Sequence, residues 1–325
     1  MKMNGIRNSR FFWFLKNICA LGRCDIYKDL AELKSQQVLC SQKLSNLDDK
    51  LFVLEVLSYY ETHKEESFSY GEELSFLQNE RFDIFPYPFI HNKISVEIGI
   101  EDKIKLPYVL HKGKRLYMPL EYDKKRVEVV YRRLVEKESI TSDGCLSKSP
   151  HQYQSDTFKI EEGDVLVDVG CAEALLSLDV IDKVKKVYLI ESDLRWFPAL
   201  KTTFAPYRDK VVLVNKLVAD TDSDTTITLA TLLKEEQNSP LFIKMDIEGY
   251  ETQVIGASKD FLVNHPKVKV ACCTYHKAND AETLEKIFQS YGYEITFSDG
   301  YMLFRPDSLT PPYFRKGVIR AQKKK

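Results

Sequence analysis

Five short apolar runs at near-regular intervals constrain this chain more than any other feature. They lie at 165–169 (VLVDV), 187–191 (VYLIE), 211–214 (VVLV), 241–246 (LFIKMD) and 268–273 (VKVACC). Helix-like stretches at 172–182, 194–205, 230–236, 251–263 and 280–291 separate most of them. Strands that are apolar on both faces, alternating with helices, require a parallel sheet covered on both sides. The expected fold is a doubly wound α/β sheet. Residues 293–297 and 301–304, joined by Ser298, Asp299 and Gly300, read as a closing antiparallel hairpin. Ligands in such sheets bind beyond the carboxyl ends of the strands, so the polar residues there are the functional candidates.

The first strand ends in Asp168, Val169, Gly170, Cys171, Ala172 and Glu173, and the second in Glu191, Ser192 and Asp193. A tight turn followed about 20 residues on by a strand-end carboxylate is a nucleotide-ribose arrangement. A dinucleotide site wants three glycines so that backbone amides meet the pyrophosphate. The whole chain has only 13 glycines and this turn has one. No GxxxxGK[ST] cradle occurs either. Asp168 and Glu173 repel a pyrophosphate and suit a cationic ligand. S-adenosylmethionine (SAM), with a sulfonium, an amine and a ribose, fits this turn better than NAD does.

The turn DVGCAEALLSL, the second strand YLIESD and above all KMDIEGYE at 244–251 resemble the FkbM-type methyltransferases. TYHK at 274–277, Gly292 with Tyr293, and SPHQY at 149–153 fit the same family, and the resemblance covers about 149–305. Two positions depart from the family pattern: Ala174 stands where glycine is usual, and Ala230 where an aspartate is usual. The resemblance implies a class I methyltransferase fold, Rossmann-like, with an antiparallel last strand. It also implies O-methylation, commonly of sugar hydroxyls in glycans or of natural-product alcohols. A sugar hydroxyl must lose its proton, and His276 is the expected general base, since imidazole titrates near working pH. Asp246 and Glu248 complete the catalytic set, with Asp246 also on the cofactor amine. Glu251 reads as turn and helix-start chemistry as readily as a site residue. The expected cofactor contacts are Asp168, Gly170, Cys171, Ala172, Glu173, Glu191, Ser192 and Asp193. Lys244, Tyr275, His151 and Tyr153 are the expected substrate contacts. Asp246, Glu248 and His276 are also metal-binding residue types, but no metal is expected.

Charge is unevenly placed. The net charge is −1, yet residues 1–28 carry six bases against Asp25, and 305–325 carry seven against Asp307. Basic ends suit an anionic membrane surface, or are solvated tails. The run FFWFLKNI at 11–18 is too short to span a bilayer and reads as an interfacial helix or one docked on the body. Leu30, Leu33, Gln37, Cys40, Leu44, Leu47, Leu51, Leu54 and Ser58 keep 3,4 spacing, which fits a coiled-coil dimer over 29–60 or an amphipathic helix on its own domain. Seven cysteines without a CxxC pair point to reduced thiols and a cytoplasmic protein, peripheral at most at the inner membrane face.

The expected organisation is an N-terminal helical region (1–62), a small α+β region with connector (63–156), the methyltransferase domain (157–305) and a basic tail (306–325). A glycan substrate and no nucleic acid are expected. The rival is a catalytically idle scaffold recruiting partners through its coiled coil and basic ends.

Overall fold

The computed structural model describes residues 7–79, 82–305 and 311–323, with side chains in the first helix from Leu30 and then from residue 32 onward. The chain divides into two compact units, Met1–Phe68 with Leu77–Phe82, and Ser69–Phe76 with Asp83–Lys325.

The first unit is built on α1 (Arg7–Thr62), a 56-residue helix continued by α2 (Lys64–Ser67). No proline interrupts α1. Phe52, Val53, Val56 and Tyr60 are buried, and the Phe52 ring meets Phe82 edge-on at 5.6 Å. The side chains of 11–18 and the residues 1–6 lie outside the described set. No helix among the described residues is long and apolar enough to cross a membrane.

The helix α3 (Gly71–Asn79) has residues in both units, and the second unit continues with a small antiparallel sheet of β1 (Ile98–Ile100), β2 (Pro107–His111) and β3 (Lys114–Tyr117). Next comes α4 (Lys124–Arg132), which Asp123 caps by accepting the Arg126 amide at 2.7 Å. Val109, Leu116, Val127 and Tyr131 share one core cluster with Leu166 and Phe242, so the accessory region packs into the main core.

The main sheet then forms from β4 (Val165–Val169), β5 (Lys186–Ile190), β6 (Val211–Val214), β9 (Leu241–Met245), β10 (Val268–Cys273), β11 (Tyr293–Phe297) and β14 (Val318–Lys323). Between them lie α5 (Leu175–Val180), α6 (Phe197–Thr203), α7 (Leu229–Leu232), α8 (Glu251–Ala257), α9 (Lys259–Asn264) and α10 (Asp280–Ser290). Two short pairs complete the strands: β7 (Leu217–Val218) with β8 (Thr226–Ile227), and β12 (Met302–Leu303) with β13 (Phe314–Arg315).

The sheet order is β11-β14-β10-β9-β4-β5-β6. Six strands run in one direction, and β14 runs antiparallel to both of its neighbours. Every residue of β4 and β9 is buried. Alternate residues feed two cores, Leu166 and Phe242 on one face, Val165, Val167 and Ile243 on the other.

The chain end departs from the expectation. Residues 293–297 pair with β14 rather than with 301–304, and 306–325 is not all tail. Val318, Ile319 and Ala321 are fully buried, which makes an interior strand, next to the sheet edge, of a stretch that reads as basic. Its bases are drawn inward: Arg320 donates to the Gln152 carbonyl at 2.6 Å and the Tyr153 carbonyl at 3.2 Å. Gly317 is required by close approach, since a Cβ there falls 1.8 Å from the Pro150 carbonyl oxygen.

Candidate active site

Two adjoining cavities open at the carboxyl ends of the strands, and Asp246 lines both. The larger, about 600 Å³, lies over the ends of β4 and β5 and is walled by Gly170, Ala172, Glu191, Trp196, Val218 and Ile247 among others. The smaller, about 240 Å³, is walled by Arg133, Glu138, His151, Tyr275, His276 and Phe304. Glu248 also reaches both.

The turn after β4 is held from beneath. Gly170 has φ +72°, and a Cβ on it meets the Asp246 carbonyl oxygen at 1.9 Å, so the turn closes on β9 only with glycine here. Asp168 accepts the Ser177 hydroxyl at 2.7 Å and lies 3.1 Å from the Lys244 ammonium, which also donates to the Gly170 carbonyl at 2.6 Å. This buried pair pins the turn, and Lys244 lines not the 240 Å³ cavity but a third one of about 120 Å³, with Glu138, His151, Tyr153 and Asp246. Burial lowers the Lys244 pKa, but Asp168 and Asp246 outweigh it and hold the ammonium above its usual range. Glu173 is buried beside them and its pKa is pushed up to about 7, burial being the main cause. Cys171 is buried too. Ala172 and Ala174 both take left-handed φ, +44° and +60°.

Glu191 accepts two backbone amides, Ala172 N at 3.0 Å and Asp193 N at 2.8 Å, which fixes its carboxylate at the cavity wall. Ser192 and Asp193 line the same cavity. Asp193 is held by Arg195, which lowers its pKa. Ala230 is exposed on α7, where Thr228 supplies the cap by accepting Thr231 N at 3.2 Å.

At the smaller cavity two histidines converge on Asp246 from opposite sides. His151 Nε2 is 3.6 Å from Asp246 Oδ2, and its Nδ1 is 3.0 Å from Glu138. His276 Nε2 is 3.5 Å from Asp246 Oδ1, and its Nδ1 is 3.1 Å from fully buried Glu251, an ion-pair contact rather than an aligned hydrogen bond. Tyr153 and Tyr275 each donate to Asp246 at 3.2 Å. Glu251 also accepts the Ile247 amide at 2.8 Å, so one carboxylate shapes the turn and faces the imidazole.

The two imidazoles differ in what their Nε2 meets. His151 Nε2 contacts the Tyr153 hydroxyl at 3.1 Å and the Cys273 sulfur at 3.5 Å. His276 Nε2 has the Asp246 and Glu248 carboxylates at 3.5 and 3.6 Å, beyond hydrogen-bond range, and faces the cavity. Burial would raise the Asp246 pKa, but His151, Lys244 and His276 hold it well below the carboxylate range. Burial would lower both imidazoles. For His151 the Cys273 sulfur, Asp246 and Glu138 outweigh it, and for His276 Glu251, Asp246 and Glu248 do, so both pKa values are raised.

Glu138 and Arg133 escape the sequence motifs. Arg133–Lys137 forms a π turn closed by Glu138 N to the Arg133 carbonyl, and the Arg133 side chain holds Glu138 at 2.7 Å. One signal was available: Val127, Tyr131, Leu134 and Glu138 share a helical face, which puts a carboxylate on an inward stripe. Arg315 was read as tail, yet it donates to the Tyr275 carbonyl at 2.8 Å and the His276 carbonyl at 3.1 Å. The supposed tail thus supports both histidine-bearing segments, through Arg320 on one side and Arg315 on the other.

A seven-stranded sheet in this order, its antiparallel strand inserted beside the edge and its cleft over the first two parallel strands, is the Rossmann-like fold of class I methyltransferases. Residues 182–295 match the family model described as Methyltransferase FkbM domain. Similar solved structures include the methyltransferase FkbM of Methylobacillus flagellatus, 20% identical with TM-score 0.41 over 51% of this chain and 45% of that one. A precorrin-6y C5,15-methyltransferase of Geobacter metallireducens is 13% identical, TM-score 0.36, over 51% and 83%. A SAM-dependent O-methyltransferase of Thermotoga maritima is 18% identical, TM-score 0.32, over 50% and 60%. The chain thus spans less than half the length of the first of these. No curated protein matches it.

Proposed function

We propose that the chain is a SAM-dependent O-methyltransferase acting on a sugar hydroxyl, in glycan or polysaccharide modification at the cytoplasmic face of a membrane. The observation that carries this is the position of Asp246, on the wall shared by a nucleoside-sized cleft and a small polar cavity that His276 Nε2 faces. The residues of the larger cleft fit SAM: a fixed carboxylate at Glu191, a glycine turn that admits backbone approach, and apolar walls from Trp196, Val218 and Ile247. Glu191 would hold the ribose hydroxyls and Asp246 the amine. Bound there, SAM supplies an electrophilic methyl carbon on a sulfonium.

The chain's own residues supply orientation and a proton acceptor. An acceptor hydroxyl in the smaller cavity gives its proton to His276 Nε2, and Glu251 and Asp246 stabilise the imidazolium that forms. His151, engaged by Tyr153 and Cys273, holds Asp246 and Tyr153 in place. Phe304 and Tyr275 offer ring faces, and Arg133, Glu138 and Glu248 offer polar partners, a mixture suited to a sugar. The carboxylates there disfavour nucleic acid.

Mass spectrometry of surface glycans from a strain lacking the gene tests the acceptor class. One methyl increment should disappear, return with the wild-type gene, and stay absent with His276→Ala. An unchanged glycan profile would overturn the sugar assignment. The scaffold reading retains one observation, the exposed leucine stripe of α1.

A further inference from the structure

Among its described side chains, the helix α1 carries two apolar stripes, of which one is covered and one exposed. At 3.6 residues per turn, Phe52, Val53, Val56 and Tyr60 fall on one side and are buried. Leu44, Leu47, Leu51 and Leu54 fall on the opposite side and are 61, 54, 56 and 62% exposed. Leu30 and Leu33 extend that exposed row toward the N-terminus. The heptad positions are therefore not the face that the helix buries within this chain.

We propose that this stripe pairs with the same stripe of a second copy of the chain, as a parallel, in-register, two-stranded coiled coil. The inference is independent of the methyl-transfer reading. The leucines occupy alternating a and d positions, with Leu30, Gln37, Leu44 and Leu51 at a and Leu33, Cys40, Leu47 and Leu54 at d.

Charge sets the orientation. The g positions beside the stripe include Lys43 and Lys50, and the e positions five residues further on are Asp48 and Glu55. In a parallel in-register pair, g of one helix faces e of the other, so Lys43 meets Asp48 of the second copy and Lys50 meets its Glu55. Twofold symmetry doubles both contacts. An antiparallel pair sets g against g, and registers that overlap the stripe then oppose lysine to lysine. Gln37 at an a position meets its own equivalent only when the helices are parallel and in register, and Cys40 at d does the same.

Sedimentation of the full chain gives the oligomeric state, with a mass twice 37.7 kDa expected. The double variant Leu47→Lys/Leu51→Lys should be monomeric and still folded, since both side chains are exposed within one chain. Mild oxidation of a chain with Cys19→Ser and Cys24→Ser should give a disulfide-linked dimer that Cys40→Ser abolishes. Lys43→Glu/Lys50→Glu should weaken the dimer roughly tenfold, through like-charge pairs, and adding Asp48→Lys/Glu55→Lys should restore it. A monomer at all micromolar concentrations overturns the proposal. So does a dimer that survives Leu47→Lys/Leu51→Lys, which would then use another surface. A dimer without the Cys40 cross-link overturns the parallel register. A monomer that binds phosphatidylglycerol vesicles, and loses that binding in Leu47→Lys/Leu51→Lys, assigns the stripe to a lipid surface instead.

Discussion

Asp246 keeps its charge in a place where burial alone would neutralise it, because two imidazoles and Lys244 surround it. The same interaction raises His276, and the sign matters for catalysis. A general base must be neutral to accept a proton, so methyl transfer should rise with pH through a value above the ordinary imidazole pKa. Glu251→Gln removes the carboxylate on Nδ1 and should move that rising limb of kcat/KM toward lower pH. An unmoved limb would assign the limb to another group. The turn residue Ala174 makes a second case. It sits at φ +60° and is buried, a conformation that costs a side chain about 1 kcal/mol and costs glycine little. Ala174→Gly should therefore raise stability by roughly 0.5–1 kcal/mol in a denaturant melt, less what glycine loses in chain entropy. A loss of the same size would contradict the strain. The motif residues were legible because strand ends concentrate polar side chains. Glu138 was legible only as the end of an inward helical stripe, because the π turn that leads to its contact with His151 is not announced by spacing.

Among the elements, β14 joins fold to site. Its apolar residues fill the sheet while Arg320, and Arg315 just before it, reach the carbonyls of the two histidine-bearing segments. Arg315→Ala should lower kcat about ten- to a hundredfold by misplacing Tyr275 and His276, with SAM affinity little changed. A fall in SAM affinity alone would place its effect on the cofactor side instead. The parallel strands were legible as apolar runs, since both of their faces are covered. The inserted strand was not, because only Val318, Ile319 and Ala321 of its residues are apolar, set among bases whose buried partners are carbonyls distant in sequence. A turn signal at 298–300 also invited a local hairpin, and pairing with the more distant β14 prevailed because it buries Val318, Ile319 and Ala321.

At the scale of the whole molecule, sequence and structure agree on a parallel sheet with its chemistry at one edge. They differ over how much of the chain builds it. The accessory strands share the main core, and the sheet runs on to Lys323. The front region looked empty of motifs because its contribution is packing, plus the single segment that carries Glu138. The scarcity of glycine has a structural counterpart in the cofactor turn. Gly170 stands where any Cβ would strike β9, while Ala172 and Ala174 take left-handed backbone without glycine. A cleft built in this way should bind a sulfonium nucleoside with Glu191 as its ribose anchor. Titration calorimetry with SAM tests that most directly. The account predicts one binding site per chain, lost or strongly weakened in Glu191→Ala and retained in His276→Ala. Absence of SAM binding by the wild-type chain, or unaltered binding in Glu191→Ala, would contradict it.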